Sequence, residues 1–137
     1  MNHWLLKTEP DAYSWSQLIK DKTTNWSGVR SPAGRANLMK MKKGDRAFFY
    51  HTGDERQVVG VCEVVKESYP DPTDETGKFV QVDVRAVEPV AHPVTLAAIK
   101  AEPKLAQMRL VREGRLSVSP VTPDEWKLVA KMAGLKA

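Results

Sequence analysis

The chain has 137 residues, one cysteine and a net charge of +4, from 21 lysines and arginines against 17 aspartates and glutamates. That length fits one domain, 1–137, able to bury roughly two thirds of its extended-chain surface without staples. One cysteine excludes an internal disulfide and any cysteine-pair metal site. No apolar run of about 18 residues is present to span a membrane, and no signal peptide is expected, so the reading is a protein of the reducing cytoplasm.

Residues 3–7, "HWLLK", predict a short apolar strand that Glu9 and Pro10 end. Ser14 is a good N-cap with Gln17 three residues on, and Tyr13 and Leu18 take the staple positions, so a helix is expected over about 15–21. "TNWSGVRSPAGRANLMKMKKGD" follows. Gly28 marks a turn, Pro32 biases Ser31 away from helix, and residues 33–42 form a helix whose C-cap residue is Gly44. Lys40, Lys42 and Lys43 suit the negative end of that helix, which accounts for them without a ligand.

"RAFFYH" (46–51) is a strong strand signal, and "QVVGVCEVV" (57–65) a second, apolar on both faces as in a barrel wall covered by helices. Gly60 permits a bend there. "YPDPTDETG" (69–77) is a polar loop between strands. "FVQVDVRAV" (79–87) alternates cleanly, and Pro89 and Pro93 are expected to end it. Helical pieces broken near Pro103 fill 95–114, and "RLSVSPV" (115–121) is a fifth strand. Thr122, Pro123 and Glu125 then supply cap, first-turn proline and box partner for a last helix to about Ala133. No βαβ rhythm appears. The pattern is α+β, a mixed, barrel-like sheet with helices over its faces and openings.

Chemistry-bearing motifs are sparse. His3, His51 and His92 have no metal-ligand spacing, and Cys62 lies within an apolar strand as a small hydrophobe. No phosphate-binding glycine loop is present. "KTEP" sets Lys7, Thr8 and Glu9 at a strand end, where solvent exposure and a polar site are both open readings; a carboxylate there could accept a base amino hydrogen, and a lysine could hold a phosphate or a carbonyl oxygen. Trp26 sits outside any apolar period, which favours a ligand-facing ring over simple packing, while Trp4 reads as core. Tyr50 and His51 end the strongest strand, where aromatic rings can form a stacking wall worth roughly 1–3 kcal/mol per base. Arg30 and Arg35 are surface cations or phosphate contacts, and Arg115 is either a lock between loops or a phosphate clamp.

Together, "HWLLKTEP", "WSGVRSPAGRANLMKMKKGDRAFFYHTG" and "GRLSVSPVTPDEW" resemble the EVE domain family, almost from end to end. The resemblance implies a PUA-like fold: a curved, mostly antiparallel β-barrel with short helices packed around it. By relation to YTH and SRA domains it also implies an aromatic and polar pocket for a modified base of DNA or RNA, without catalysis and without a cofactor or metal. The positions that match are Trp26, Gly28, Val29 and Arg30, then Lys7, Glu9 and Pro10, then Tyr50 and His51, and finally Arg115, Leu116, Ser117 and Val118, with the hydroxyls of Thr8 and Thr52 as further ligand-binding candidates. Arg30, Arg35 and Lys40 are the candidates for phosphate contact. The chain departs from the family in carrying threonine at 8 and 52 where serine is frequent, and in the "SPAGRAN" segment after "GVR". Two rival readings stand beside this one. Lys7, Thr8 and Glu9 supply the residue types of the ASCH amidohydrolases, related in fold, and a protein- or small-molecule-binding module would need no nucleic acid.

Overall fold

In the computed structural model, which describes residues 1–135, hydroxyl side chains start most of the helices. Ser14 caps α1 (Trp15–Asp21), Ser31 caps α2 (Pro32–Lys40) and Thr95 caps α3 (Leu96–Ala101), each accepting a backbone N–H three residues on. A 3-10 turn at Pro103–Leu105 and the short α4 (Arg109–Arg112) follow. Thr122 and Glu125 exchange both capping-box hydrogen bonds at the start of α5 (Pro123–Met132). No helix among the described residues is long and apolar enough to cross a membrane.

Six strands form one sheet: β1 (His3–Thr8), β2 (Thr23–Trp26), β3 (Arg46–His51), β4 (Gln57–Pro70), β5 (Val80–Thr95) and β6 (Val118–Val121). Their order is β2-β5-β4-β3-β1-β6. The β1–β3 pair is parallel and the other pairs are antiparallel. The expected barrel is not formed: β2 and β6 are the two edges of an open sheet. Helix α2 packs on β6, β5 and β4. Asn37 Nδ2 donates to the Val118 carbonyl at 2.7 Å, so a helix rather than a strand ladder covers that edge.

The apolar runs are continuous because both faces are buried. Along β3, Ala47 and Phe49 join Trp4, Leu6, Trp15, Trp26 and Leu38 on one side. Phe48 and Tyr50 join Leu5, Ile99, Leu105, Met108 and Val129 on the other. The indole of Trp126 stacks on Phe48 with centroids 3.9 Å apart. Trp4 is core, as its pattern implies, and donates its indole N–H to the buried Asp45 at 3.0 Å.

Strand limits differ from the sequence reading at β2, β4, β5 and β6, the last beginning at Val118 and not at Arg115. β2 was not among the expected strands, and β4 runs on to Pro70 as one arm of a long hairpin with β5. β5 continues through both prolines that were expected to end it. The register explains this: Val58 pairs with Val94 but Gly60 already pairs with Pro89, so residues 90–93 bulge out of the ladder. The N–H groups of Ala91 and His92 both donate to the Ala133 carbonyl at 3.0 Å, at the end of α5. Pro93 falls inside that bulge, where no ladder hydrogen bond is asked of it, and Pro89 stands at its edge opposite Gly60. Gly60 does more than permit a bend. The indole of Trp15 lies against its backbone, where an added Cβ would stand 2.6 Å from the ring.

Candidate functional site

On the Trp26 side of the sheet, the end of β1, the approach to α1, β2 with the loop after it, and the turn before β6 enclose a pocket of about 470 Å³. That volume is within the range of small-ligand sites. Its walls combine Trp26, Tyr13 and Val29 with the polar groups of Lys7, Thr8, Asn25, Ser31, Arg115 and Ser117.

Trp26 is 7% exposed. Its ring meets Phe49 edge-on at 5.5 Å and Tyr13 edge-on at 6.3 Å. It is therefore both core and wall: most of the indole is spent on packing and a small remainder faces the pocket. The Tyr13 hydroxyl donates to Asp21 at 2.9 Å, and burial together with that carboxylate pushes the phenol above its usual value, so it stays a neutral donor–acceptor. Thr8 fixes the turn beneath by donating to the Tyr13 carbonyl at 3.1 Å. Lys7 Nζ donates to the Gly114 carbonyl at 2.9 Å. Burial lowers its pKa, meaning its ammonium is already partly stripped of water.

The loop carrying Gly28, Val29 and Arg30 is tied down by Asp71, at the tip of the β4–β5 hairpin. Gly28 has φ +82°, and its N–H donates to Asp71 Oδ2 at 2.9 Å. Arg30 Nη1 reaches the same oxygen at 3.0 Å, and its Nη2 donates to Thr73 Oγ1 at 2.8 Å. The guanidinium also lies 5.5 Å from the Phe79 ring centroid. Burial disfavours the Asp71 charge, but bonds from Thr73, Gly28 and Arg30 outweigh it and hold the carboxyl far below the usual value.

The family model of the EVE domain matches residues 2–132. The chain belongs to the EVE domain family. Thymocyte nuclear protein 1 of Gallus gallus is 33% identical over 95% of this chain and 68% of its own length. A Rhodopseudomonas palustris protein solved by NMR is 49% identical with a TM-score of 0.93, covering 98% of this chain and 94% of the other. Human THYN1 in complex with 5-methylcytosine-containing DNA is 30% identical with a TM-score of 0.93, and the match covers 100% of both chains.

Of the positions that the EVE resemblance singles out, the fold brings Lys7, Thr8, Trp26, Gly28, Val29, Arg30, Arg115 and Ser117 to the pocket. Glu9, Tyr50, His51 and Thr52 are not among its lining residues. Glu9 is exposed. Tyr50 belongs to the core on the far face. His51 is buried, accepting the Trp15 N–H on Nε2 at 3.0 Å, which leaves Nδ1 as donor to Glu55 at 2.9 Å. The ring anchors the start of α1. Thr52 ties its N–H to the Thr8 carbonyl at 2.9 Å. Arg35 and Lys40 are exposed on α2, away from the pocket lining. Among the described residues no His, Cys, Asp or Glu cluster is placed to hold a metal ion.

The sequence reading missed Tyr13, Asn25 and Ser31 as wall residues of this pocket and missed Asp71 altogether. Tyr13 had been absorbed as a helix staple, and Ser31 as the residue that Pro32 biases away from helix. A signal for Asp71 existed in the tandem "DPT" and "DET". In each, the aspartate accepts both the N–H and the hydroxyl of the threonine two residues on.

Proposed function

We propose that this EVE domain is a non-catalytic nucleic-acid-binding module, acting as one domain that holds a modified base of DNA in the Trp26–Tyr13 pocket. The observation that carries the reading is a pocket with an aromatic wall and a polar rim in a chain that matches, along its whole length, human THYN1, a protein seen with 5-methylcytosine-containing DNA. A base leaving its stack loses a few kcal/mol. Contact with Tyr13 and the remaining face of Trp26, worth roughly 1–3 kcal/mol per base, together with edge hydrogen bonds to Asn25, Thr8 and Ser31, offsets that loss. An added methyl group fills apolar space beside Val29 and Trp26.

The cation that meets the flanking phosphate is Arg115. It lines the pocket, is exposed, and takes part in no salt bridge among the described residues, whereas Arg30 is paired with Asp71. Lys7, already partly desolvated, loses less on meeting a ligand oxygen than a fully hydrated lysine would. The hydrolase reading gains nothing from the geometry, because Glu9 is not beside Lys7 and Thr8 in the pocket lining.

The test is binding to short single and double strands that differ by one 5-methylcytosine, at two salt concentrations. A tenfold preference for the modified strand, about 1.4 kcal/mol, is the expected result. Equal, salt-dependent binding to every strand overturns the reading and leaves only a basic surface.

A further inference from the structure

We propose that Asp71 is a positioning residue for the pocket: from the tip of the β4–β5 hairpin, its carboxylate sets the height and tilt of the loop that carries Gly28, Val29 and Arg30. The inference rests on the reading of the pocket as a base-binding site, and the carboxylate itself is not among the pocket-lining residues.

Three observations carry it. The Asp71 side chain is fully buried, although it sits in a polar turn between two long strands. Both of its oxygens are used. Oδ2 takes the Gly28 N–H and Arg30 Nη1, and Oδ1 takes the N–H and hydroxyl of Thr73. Removing a buried acceptor of this kind leaves several donors without a partner at once. The hairpin tip is also made rigid independently of the loop. Asp74 accepts the N–H groups of Thr76, Lys78 and Phe79, and so fixes the residue whose ring backs the Arg30 guanidinium. Asp74 thus holds Phe79, Phe79 and Asp71 hold Arg30, and Arg30 with Gly28 holds the wall of the pocket.

Gly28 needs its positive φ to make the turn, and Val29 turns into the core on the next residue. A shift at Gly28 would therefore move the Val29 and Trp26 groups that would meet an added methyl. On this arrangement Arg30 acts through Asp71 on the loop and contributes no phosphate contact of its own.

Amide hydrogen exchange and oligonucleotide binding, measured together on the full chain for the wild type, Asp71→Asn, Asp71→Ala and Arg115→Ala, test this. Asp71→Asn keeps the shape and an acceptor oxygen, so it serves where Asp71→Ala does not fold. The expected result is Gly28 exchange at least tenfold faster in the Asp71 variants, with Leu6 and Phe49 unchanged. Preference for the 5-methylcytosine strand over its unmodified twin should fall at least tenfold, with binding to the unmodified strand retained. Arg115→Ala should show the reverse, unchanged Gly28 exchange with weaker binding to both strands. Unchanged Gly28 exchange, equal acceleration at Gly28, Leu6 and Phe49, or a loosened loop with full preference would each overturn the proposal. Should the wild type itself show no preference, the base-binding reading falls while exchange at Gly28 still decides whether Asp71 braces the loop.

Discussion

Arg30 Nη1 stands 3.0 Å from Asp71 Oδ2, with the arginine side chain 39% exposed and the aspartate fully buried. The pair spans 41 residues of sequence and joins the loop after β2 to the tip of the β4–β5 hairpin. A half-exposed arginine beside a pocket invites a phosphate; this one already has an anion.

That distinction is measurable in the salt dependence of DNA binding. Each phosphate contact contributes about 0.9 to the slope of log K against log salt on a duplex. Arg115→Ala should lower the slope by nearly one unit. Arg30→Ala should weaken binding to the modified strand with the slope unchanged. A loss of slope in Arg30→Ala would place a phosphate at Arg30 after all.

Trp26 calls for a gentle substitution. Its ring is part of the core with Phe49 and Leu38, so Trp26→Ala should cost about 3–5 kcal/mol, a large share of the stability of a domain this size. A loss of binding in that variant would say little about ligand contact. Trp26→Phe keeps much of the packing. The expected result is a small shift in the urea midpoint with a marked fall in modified-base preference, whereas full preference would make Trp26 a packing residue only.

Gly60→Ala should destabilise the fold by about 1–3 kcal/mol, because the new methyl would lie 2.6 Å from three atoms of the Trp15 indole. Thermal unfolding should fall by several degrees. Trp15→Leu in the same chain should recover part of the loss by making room. Unchanged stability in the single variant would mean the indole moves aside freely.

The Asp71 carboxyl is held far below the aspartate value of the unfolded chain, about 3.9. Above that pH both states are ionised, and the contribution of the bonded carboxylate to stability is complete. As pH falls below about 3.9 the unfolded state takes up its proton first, and the contribution fades toward the lower folded-state pKa. Acid titration of thermal stability should show a steeper decline between about pH 4 and pH 2 in the wild type than in Asp71→Asn. Parallel curves would show that the charge adds nothing.

The helix starts at Ser14 and Thr122 were legible because they are local, each side chain satisfying a backbone donor three residues away; Ser31 and Thr95 cap in the same way but were not read as caps. β3 was legible because an apolar run of that composition has few other uses. The four residues of β2 were not, since Thr23, Thr24 and Asn25 pair at the sheet edge opposite Arg85, Val84 and Asp83, and the one side-chain bond given for that edge, Asn25 Nδ2 to Gln81 Oε1 at 3.1 Å, spans 56 residues. The sequence assigned Trp26 to the ligand or to the core as if these excluded one another. The structure places one ring in both, and no local pattern encodes that. His51 was singled out as part of an aromatic stacking wall at a strand end, whereas its work is to receive the Trp15 N–H from 36 residues away. Asp71 belongs to the same class, its partners being 41 and 43 residues distant.

Phe48 and Phe49 are chain neighbours that point into two different cores, so β3 is packed from both sides at once. This has a practical meaning for anyone wishing to retarget the pocket. Libraries that vary Tyr13, Asn25 and Ser31 will mostly produce weaker folds, because most changes do. The far side of the sheet, where Trp126, Val129 and Ile99 meet Phe48, shares the strand but none of the ligand's surroundings. Stabilising changes made there in advance would give the binding side room to explore, with no change to the geometry under selection.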